Sequence, residues 1–220
     1  EKQVRYPGYH ELAYLHPDRF TPDPSVLDDR RVDPEDTFAV VRVSAWDSSH
    51  DVGASGFADL GAAVERLEDA GATVLVTSEV PLPDDLERCR TSIPPEQMHH
   101  LLAFADLFVG EGATMAAESA VLGTPAVYVN SLTMGYTNEL EARYGLLRHY
   151  PEAGSHGAAL DRAVAVLDDA DADQWAERRD QLLAEKCDTT EVVLRELVAA
   201  ADGLVAAPDP GVPTAPTATD

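Results

Sequence analysis

The chain has 220 residues, 45% of them hydrophobic, which is enough for one sizeable core and predicts a single domain with tails. Its 40 acidic and 16 basic residues leave a formal net charge of −24, a balance that argues against electrostatic binding to nucleic acid or an anionic membrane. No apolar run reaches membrane-spanning length and no signal peptide is recognisable.

The only lysines are Lys2 and Lys186; the other basic residues are Arg. Such an acid excess suits a protein dissolved in concentrated salt, where screening acts over about 3 Å at 1 M and hydrated carboxylates maintain solubility. A haloarchaeal cytoplasm is the expected setting, and an ordinary acidic mesophilic protein the alternative. Cys89 and Cys187 match no metal or redox spacing and read as free thiols in a reducing compartment.

In chain order, residues 1–36 are rich in Pro, Tyr and Asp and read as a connector, with Tyr6, Tyr9, Tyr14 and Phe20 available for packing and one short turn over 11–15. Residues 37–45 predict a strand buried on both faces. The polar loop 46–56 follows. There His50 beside Asp51 is a weak candidate for acid–base chemistry, and Ser48 and Ser49 with loop N–H groups could hold a diphosphate. The loop equally fits a capped turn with a hydrogen-bonded His50. Apolar positions at 57, 60, 63, 64 and 67 predict a helix ended by Gly71, and 72–79 a second strand. Prolines make 80–95 irregular around a short acidic helix near 84–88, and 96–105 reads as a helix carrying His99 and His100. Adjacent helical residues point in different directions, so a metal pair is not expected there, or elsewhere.

Residues 106–131 are the organising stretch. They read as strand, small-residue turn, Ala-rich helix ended by Gly123 and Pro125, and a second buried strand. A right-handed parallel crossover places the turn at the carboxyl edge of the sheet, where open α/β sheets bind ligands. Gly110 and Gly112 are expected to allow positive φ and close backbone approach, with the N–H groups of Ala113 and Thr114 opening the helix toward a phosphate. Glu118, one helical turn after Thr114, could accept two hydrogen bonds from a ribose diol. An ordinary βαβ turn with an exposed Glu fits the same spacing.

Beyond it, 130–138 is a polar loop, 139–144 a short helix and 145–150 a final strand. Helices are predicted over 155–168, 174–186 and 190–201, with Asp188 and Glu191 spaced as a capping box. Their apolar stripe includes Val193, Leu194 and Leu197. The tail 205–220 reads as disordered, leaving 37–204 as the folded domain.

The run Gly-Glu-Gly-Ala-Thr-Met-Ala-Ala-Glu-Ser-Ala-Val-Leu-Gly-Thr-Pro (110–125) resembles the donor-nucleotide motif in the C-terminal domain of GT-B glycosyltransferases and non-hydrolysing UDP-N-acetylglucosamine 2-epimerases. With Tyr-Pro-Gly-Tyr-His-Glu-Leu-Ala-Tyr-Leu (6–15) and Trp-Asp-Ser-Ser-His-Asp-Val-Gly (46–53), it also resembles a largely archaeal domain-of-unknown-function family related to those enzymes. The resemblance covers about residues 4–150 and implies a Rossmann-like α/β domain with a largely parallel sheet flanked by helices, and counting apolar runs predicts about five or six strands. It implies a UDP-sugar as substrate, no obligatory cofactor or metal, and donor phosphate contacts from Arg42, Ser48, Ser49 and His50. The nucleobase is expected near 93–100, with Asn130, Ser131 and Asn138 framing the sugar. A complete GT-B protein has two such domains, so the chain, which starts at Glu1 rather than Met, reads as the donor-binding half of a glycosyltransferase lacking its N-terminal domain. On that reading it is inactive alone, and its general base is not assignable. The His-Arg-Arg-Glu-Asn run typical of the epimerases is missing from the 46–53 region. A 2-epimerase-like protein and a non-catalytic interaction domain are the competing readings.

Overall fold

The computed structural model describes residues 3–28, 30–33, 35–43, 59–152, 154–169 and 172–201. The 46–56 loop and the 205–220 tail therefore lie outside the described residues. Two compact units emerge, one spanning Pro22–Arg179 and the other combining residues up to Thr21 with those from Asp180 onward.

The larger unit is built on five parallel strands: β1 (Phe38–Val43), β2 (Thr73–Ser78), β3 (Leu107–Gly110), β4 (Ala126–Val129) and β5 (Leu147–Tyr150). Their spatial order is β2-β1-β3-β4-β5. The helices along the chain are α1 (Leu12–Leu15), α2 (Leu60–Asp69), α3 (Met98–Phe104), α4 (Ala113–Leu122), α5 (Gly135–Glu139), α6 (His156–Asp168), α7 (Ala172–Glu185) and α8 (Thr189–Ala201). This is the Rossmann-like α/β class expected from the alternation of apolar runs and amphipathic helices.

Strand side chains alternate between the two faces. Val41, Val76, Val109 and Val127 form one buried cluster with Val64 and Leu67 of α2 and Ala163 and Val166 of α6. Val40, Phe108 and Tyr128, offset by one residue, are fully buried on the other face, where α4 packs on β3 and β4, and α3 packs beside α4. Burying a Phe side chain of this kind is worth about 1.5–3 kcal/mol.

The short helix expected over 84–88 is a single 3₁₀ turn, Glu87–Cys89. Its physical reason is the neighbouring strand: the Thr91 N–H donates to the Val76 carbonyl at 2.9 Å, so this segment runs alongside β2 instead of coiling. The helix expected over 139–144 begins earlier, at Gly135, and its last turn, Leu140–Tyr144, is a π-turn.

In the smaller unit, residues expected as part of a connector are stitched along the start of α8. Thr189 Oγ1 donates to the Tyr9 carbonyl at 2.7 Å and Thr190 Oγ1 to that of Ala13 at 2.6 Å. Asp188 caps α8, its Oδ1 accepting the Thr190 N–H at 2.9 Å, while Arg19 Nε reaches Oδ2 at 2.7 Å. Tyr9 is buried, with Lys186 Nζ over its ring, in keeping with a packing role for the aromatic residues. Val193, Leu194 and Leu197 of the expected stripe are exposed.

Candidate functional site

The strand order reverses between β1 and β3. From β1 the chain goes outward to β2, and from β3 it proceeds the other way to β4 and β5. Connections leaving these two strands diverge, so their carboxyl ends border the crevice where doubly wound sheets bind ligands. Arg42 of β1 and Gly110 of β3 are register partners at that reversal.

Gly110 is small because of what surrounds it. A Cβ there would come within 2.5 Å of Phe108 Cζ and 3.0 Å of Arg42 Cβ. At Gly112 an added Cβ would meet nothing within 4 Å among the described residues, and the backbone is extended, with φ −91° and ψ 115°. The positive φ expected at Gly110 and Gly112 is therefore corrected: neither adopts it, because Gly110 continues the strand ladder and Gly112 is an extended helix N-cap.

Gly112 offers α4 no side-chain cap, so the helix opens at Ala113 and Thr114 without the Asp, Ser or Thr that commonly satisfies first-turn N–H groups. The macrodipole gives this end a partial positive charge. At the other end Gly123 takes φ 96°, the left-handed conformation that closes a helix, and Pro125 follows, as expected.

Thr114 is exposed beside this opening, whereas Glu118, one turn deeper, is only 7% exposed. Glu118 is thus not the exposed Glu of an ordinary turn. Its Oε1 lies 2.9 Å from Nε2 of His99, which projects from the neighbouring α3. The adjacent His100 turns elsewhere, its Nδ1 accepting the Asp23 N–H at 2.9 Å. Asn130 joins two loops: its Nδ2 donates to the Glu111 carbonyl at 2.8 Å, and its Oδ1 accepts the Leu132 N–H at 2.9 Å.

Arg42 reaches sideways along the same edge. Its Nη1 donates to Thr77 Oγ1 at 3.1 Å, and its Nη2 contacts Glu79 Oε1. The structure therefore brings Arg42, Gly110, Gly112, Ala113, Thr114, Glu118 and Asn130 to the carboxyl half of the central strands and the elements that follow them. Ser48, Ser49, His50 and Asp51 lie outside the described residues. Among the described residues no cluster of three His, Cys, Asp or Glu side chains is placed to hold a metal.

Sequence reasoning missed a second feature of this edge. The Tyr128 and His149 rings stack at 4.5 Å, with His149 Nε2 2.7 Å from the Asn130 carbonyl and Tyr128 donating to the Leu132 carbonyl at 3.1 Å. Burial, reinforced by Tyr136, pushes the Tyr128 phenol up to about 12, so it remains a neutral donor at ordinary pH. No sequence spacing links β4 to β5 in this way. The only available signal was the position of Tyr128 in a fully apolar strand, where its hydroxyl had to find a partner.

No protein-family model matches the sequence, and no curated protein matches it. Solved structures do match in fold. A protein described as a UDP-N-acetylglucosamine 2-epimerase from Listeria monocytogenes aligns with TM-score 0.55 at 10% identity, covering 89% of this chain and 53% of that one. Os79 from O. sativa, determined in complex with U2F and trichothecene, aligns with TM-score 0.54 at 16% identity, covering 85% of this chain and 46% of that one. The spinosyn forosaminyltransferase SpnP aligns with TM-score 0.51 at 19% identity, covering 83% and 49% respectively. Among the described residues no helix is long and apolar enough to cross a membrane. The chain shares the Rossmann-like α/β fold of these proteins and spans about half the length of each.

Proposed function

We propose that the chain is the donor-binding half of a GT-B-type glycosyltransferase, taking a nucleotide-sugar of the UDP-N-acetylhexosamine class. The observation that carries this reading is the N-terminus of α4, whose N-cap residue Gly112 has no side chain to cap it, next to the β1/β3 reversal, with no described residue within 4 Å of a Cβ added at Gly112. The N–H groups of Ala113 and Thr114 would bind the diphosphate and stabilise the charge developing on it as the sugar leaves. Glu118 would accept from the ribose hydroxyls, with the base near 93–100 and the sugar near the loop that Asn130 anchors. Arg42, Ser48, Ser49 and His50 would complete the phosphate contacts. The general base, and with it turnover, would come from the other half of a two-domain protein.

The test is calorimetric titration of the chain with UDP-N-acetylglucosamine, UDP and GDP in molar KCl, repeated with Gly112→Asp. The extended backbone at Gly112 accepts any side chain, and Asp is a favourable N-cap, so the variant should fold with unchanged or slightly raised stability. Its carboxylate would occupy the helix end and repel a diphosphate. Saturable UDP binding that disappears in this variant supports the reading. Absence of binding by the folded parent chain sinks it in favour of an interaction domain, and an isomerised sugar from a complete two-domain protein would favour the epimerase.

A further inference from the structure

We infer that His99 is a positioning residue for Glu118, and that the pair makes the site selective for ribonucleotides over 2′-deoxyribonucleotides. This inference rests on the nucleotide-sugar reading above and adds the residue that would orient its ribose-binding acid.

The starting point is burial. A carboxylate that is 7% exposed needs defined partners, because removing it from water without hydrogen bonds is costly. The 2.9 Å contact pairs His99 Nε2 with Glu118 Oε1, and in the tautomer with its proton on Nε2 the imidazole donates to the carboxylate oxygen. That contact fixes the carboxylate from a different helix. Free rotation about the Glu side chain would otherwise cost entropy each time a ligand hydroxyl had to be met.

Position supplies the second step. Helical side chains lean toward the N-terminus of their own helix, so Glu118 covers the turn that begins near Thr114, one pitch of about 5.4 Å below the open end. His99 lies in the first turn of α3, whose chain then runs into β3, so it starts from the same carboxyl side of the sheet. A diphosphate at the N–H groups of Ala113 and Thr114 would place its attached pentose within reach of that turn. A pre-oriented acceptor there distinguishes a vicinal diol from a sugar lacking one hydroxyl, because the deoxy sugar forfeits one charge-assisted hydrogen bond.

The His99–Glu118 contact could also serve only to clamp α3 to α4, and the two roles differ in what they change. A clamp would alter stability and weaken both nucleotides together. A positioning residue alters the ratio of their affinities.

The experiment measures binding of UDP and of 2′-deoxy-UDP to the 220-residue chain, His99→Ala, His99→Gln and Glu118→Gln, with thermal melts confirming that each variant is folded. The parent chain should prefer UDP by about tenfold, the scale of one hydrogen bond to a charged group. His99→Ala and Glu118→Gln should bring the ratio close to one, and His99→Gln, which retains an N–H donor, should restore most of it. If His99→Ala does not fold, His99→Gln and Glu118→Gln still decide, since the first must keep the preference and the second must lose it. UDP binding with no ribose preference, or a preference unchanged across the variants, overturns the role of His99 and leaves the donor-site reading standing. Failure of the parent chain to bind either nucleotide overturns both.

Discussion

Arg42 and Gly110 face each other across the β1–β3 ladder at the point where the strand order reverses, close enough that a Cβ on Gly110 would sit 3.0 Å from the Arg42 Cβ. The Phe108 ring closes the same space from two residues earlier, and Phe108 is fully buried. The glycine is therefore needed for packing at the base of the crevice, independently of any ligand.

Gly110→Ala should destabilise the fold by about 1–3 kcal/mol, because a fully buried ring cannot yield without disturbing its neighbours. For a chain of this size that corresponds to roughly 2–4 °C in Tm per kcal/mol. Chemical denaturation of the variant beside Gly112→Asp checks it: the first should unfold earlier, the second should not.

Asn130 holds the β3–α4 turn to the exit of β4 through one donor and one acceptor on the same carboxamide. Asn130→Asp replaces the donor facing the Glu111 carbonyl with an oxygen, turning attraction into repulsion at a site that is 8% exposed. The expected loss is about 1–3 kcal/mol, read from urea denaturation at neutral pH. Because Asp regains a donor when protonated, the deficit should shrink in acid.

Asp188 ties Arg19 to the start of α8. Burial opposes ionisation of its carboxyl, but the Arg19 guanidinium and the N–H groups of Thr190 and Glu191 outweigh burial and hold it below the usual carboxylate range. A depressed carboxyl stabilises the fold above its unfolded value, and that contribution is lost as pH falls through the folded value. Asp188→Asn keeps the cap and removes the charge. Stability measured from neutral pH to pH 2 should show a parent–variant difference that is constant above pH ~4 and closes below it.

Strands β1 to β4 were legible because each is largely a short apolar run bounded by turn residues, and the crossover rules then fix which end of the sheet carries the loops. The ends of α4 were legible for the same local reason, with Gly123 and Pro125 written directly in the chain. The role of Gly110 was not, since its crowding comes from how the Phe108 ring is folded over it and from Arg42 on another strand. Nor was the turn beside β2, where a long-range hydrogen bond from Thr91 to Val76 overrides the helical tendency of 84–88.

Local patterns in the sequence thus determined the elements, the parallel α/β class and the place of the organising turn, because periodicity and turn chemistry act within a few residues. Only the tertiary structure decided what the side chains at that turn do. Glu118 meets His99 from a different helix, Asn130 bridges two separate loops, and Arg42 extends toward β2. The Glu118–His99, Asn130–Glu111 and Arg42–Thr77 pairings join residues 19 to 35 positions apart, and burial and directional hydrogen bonds select them only after the sheet has brought its strands together.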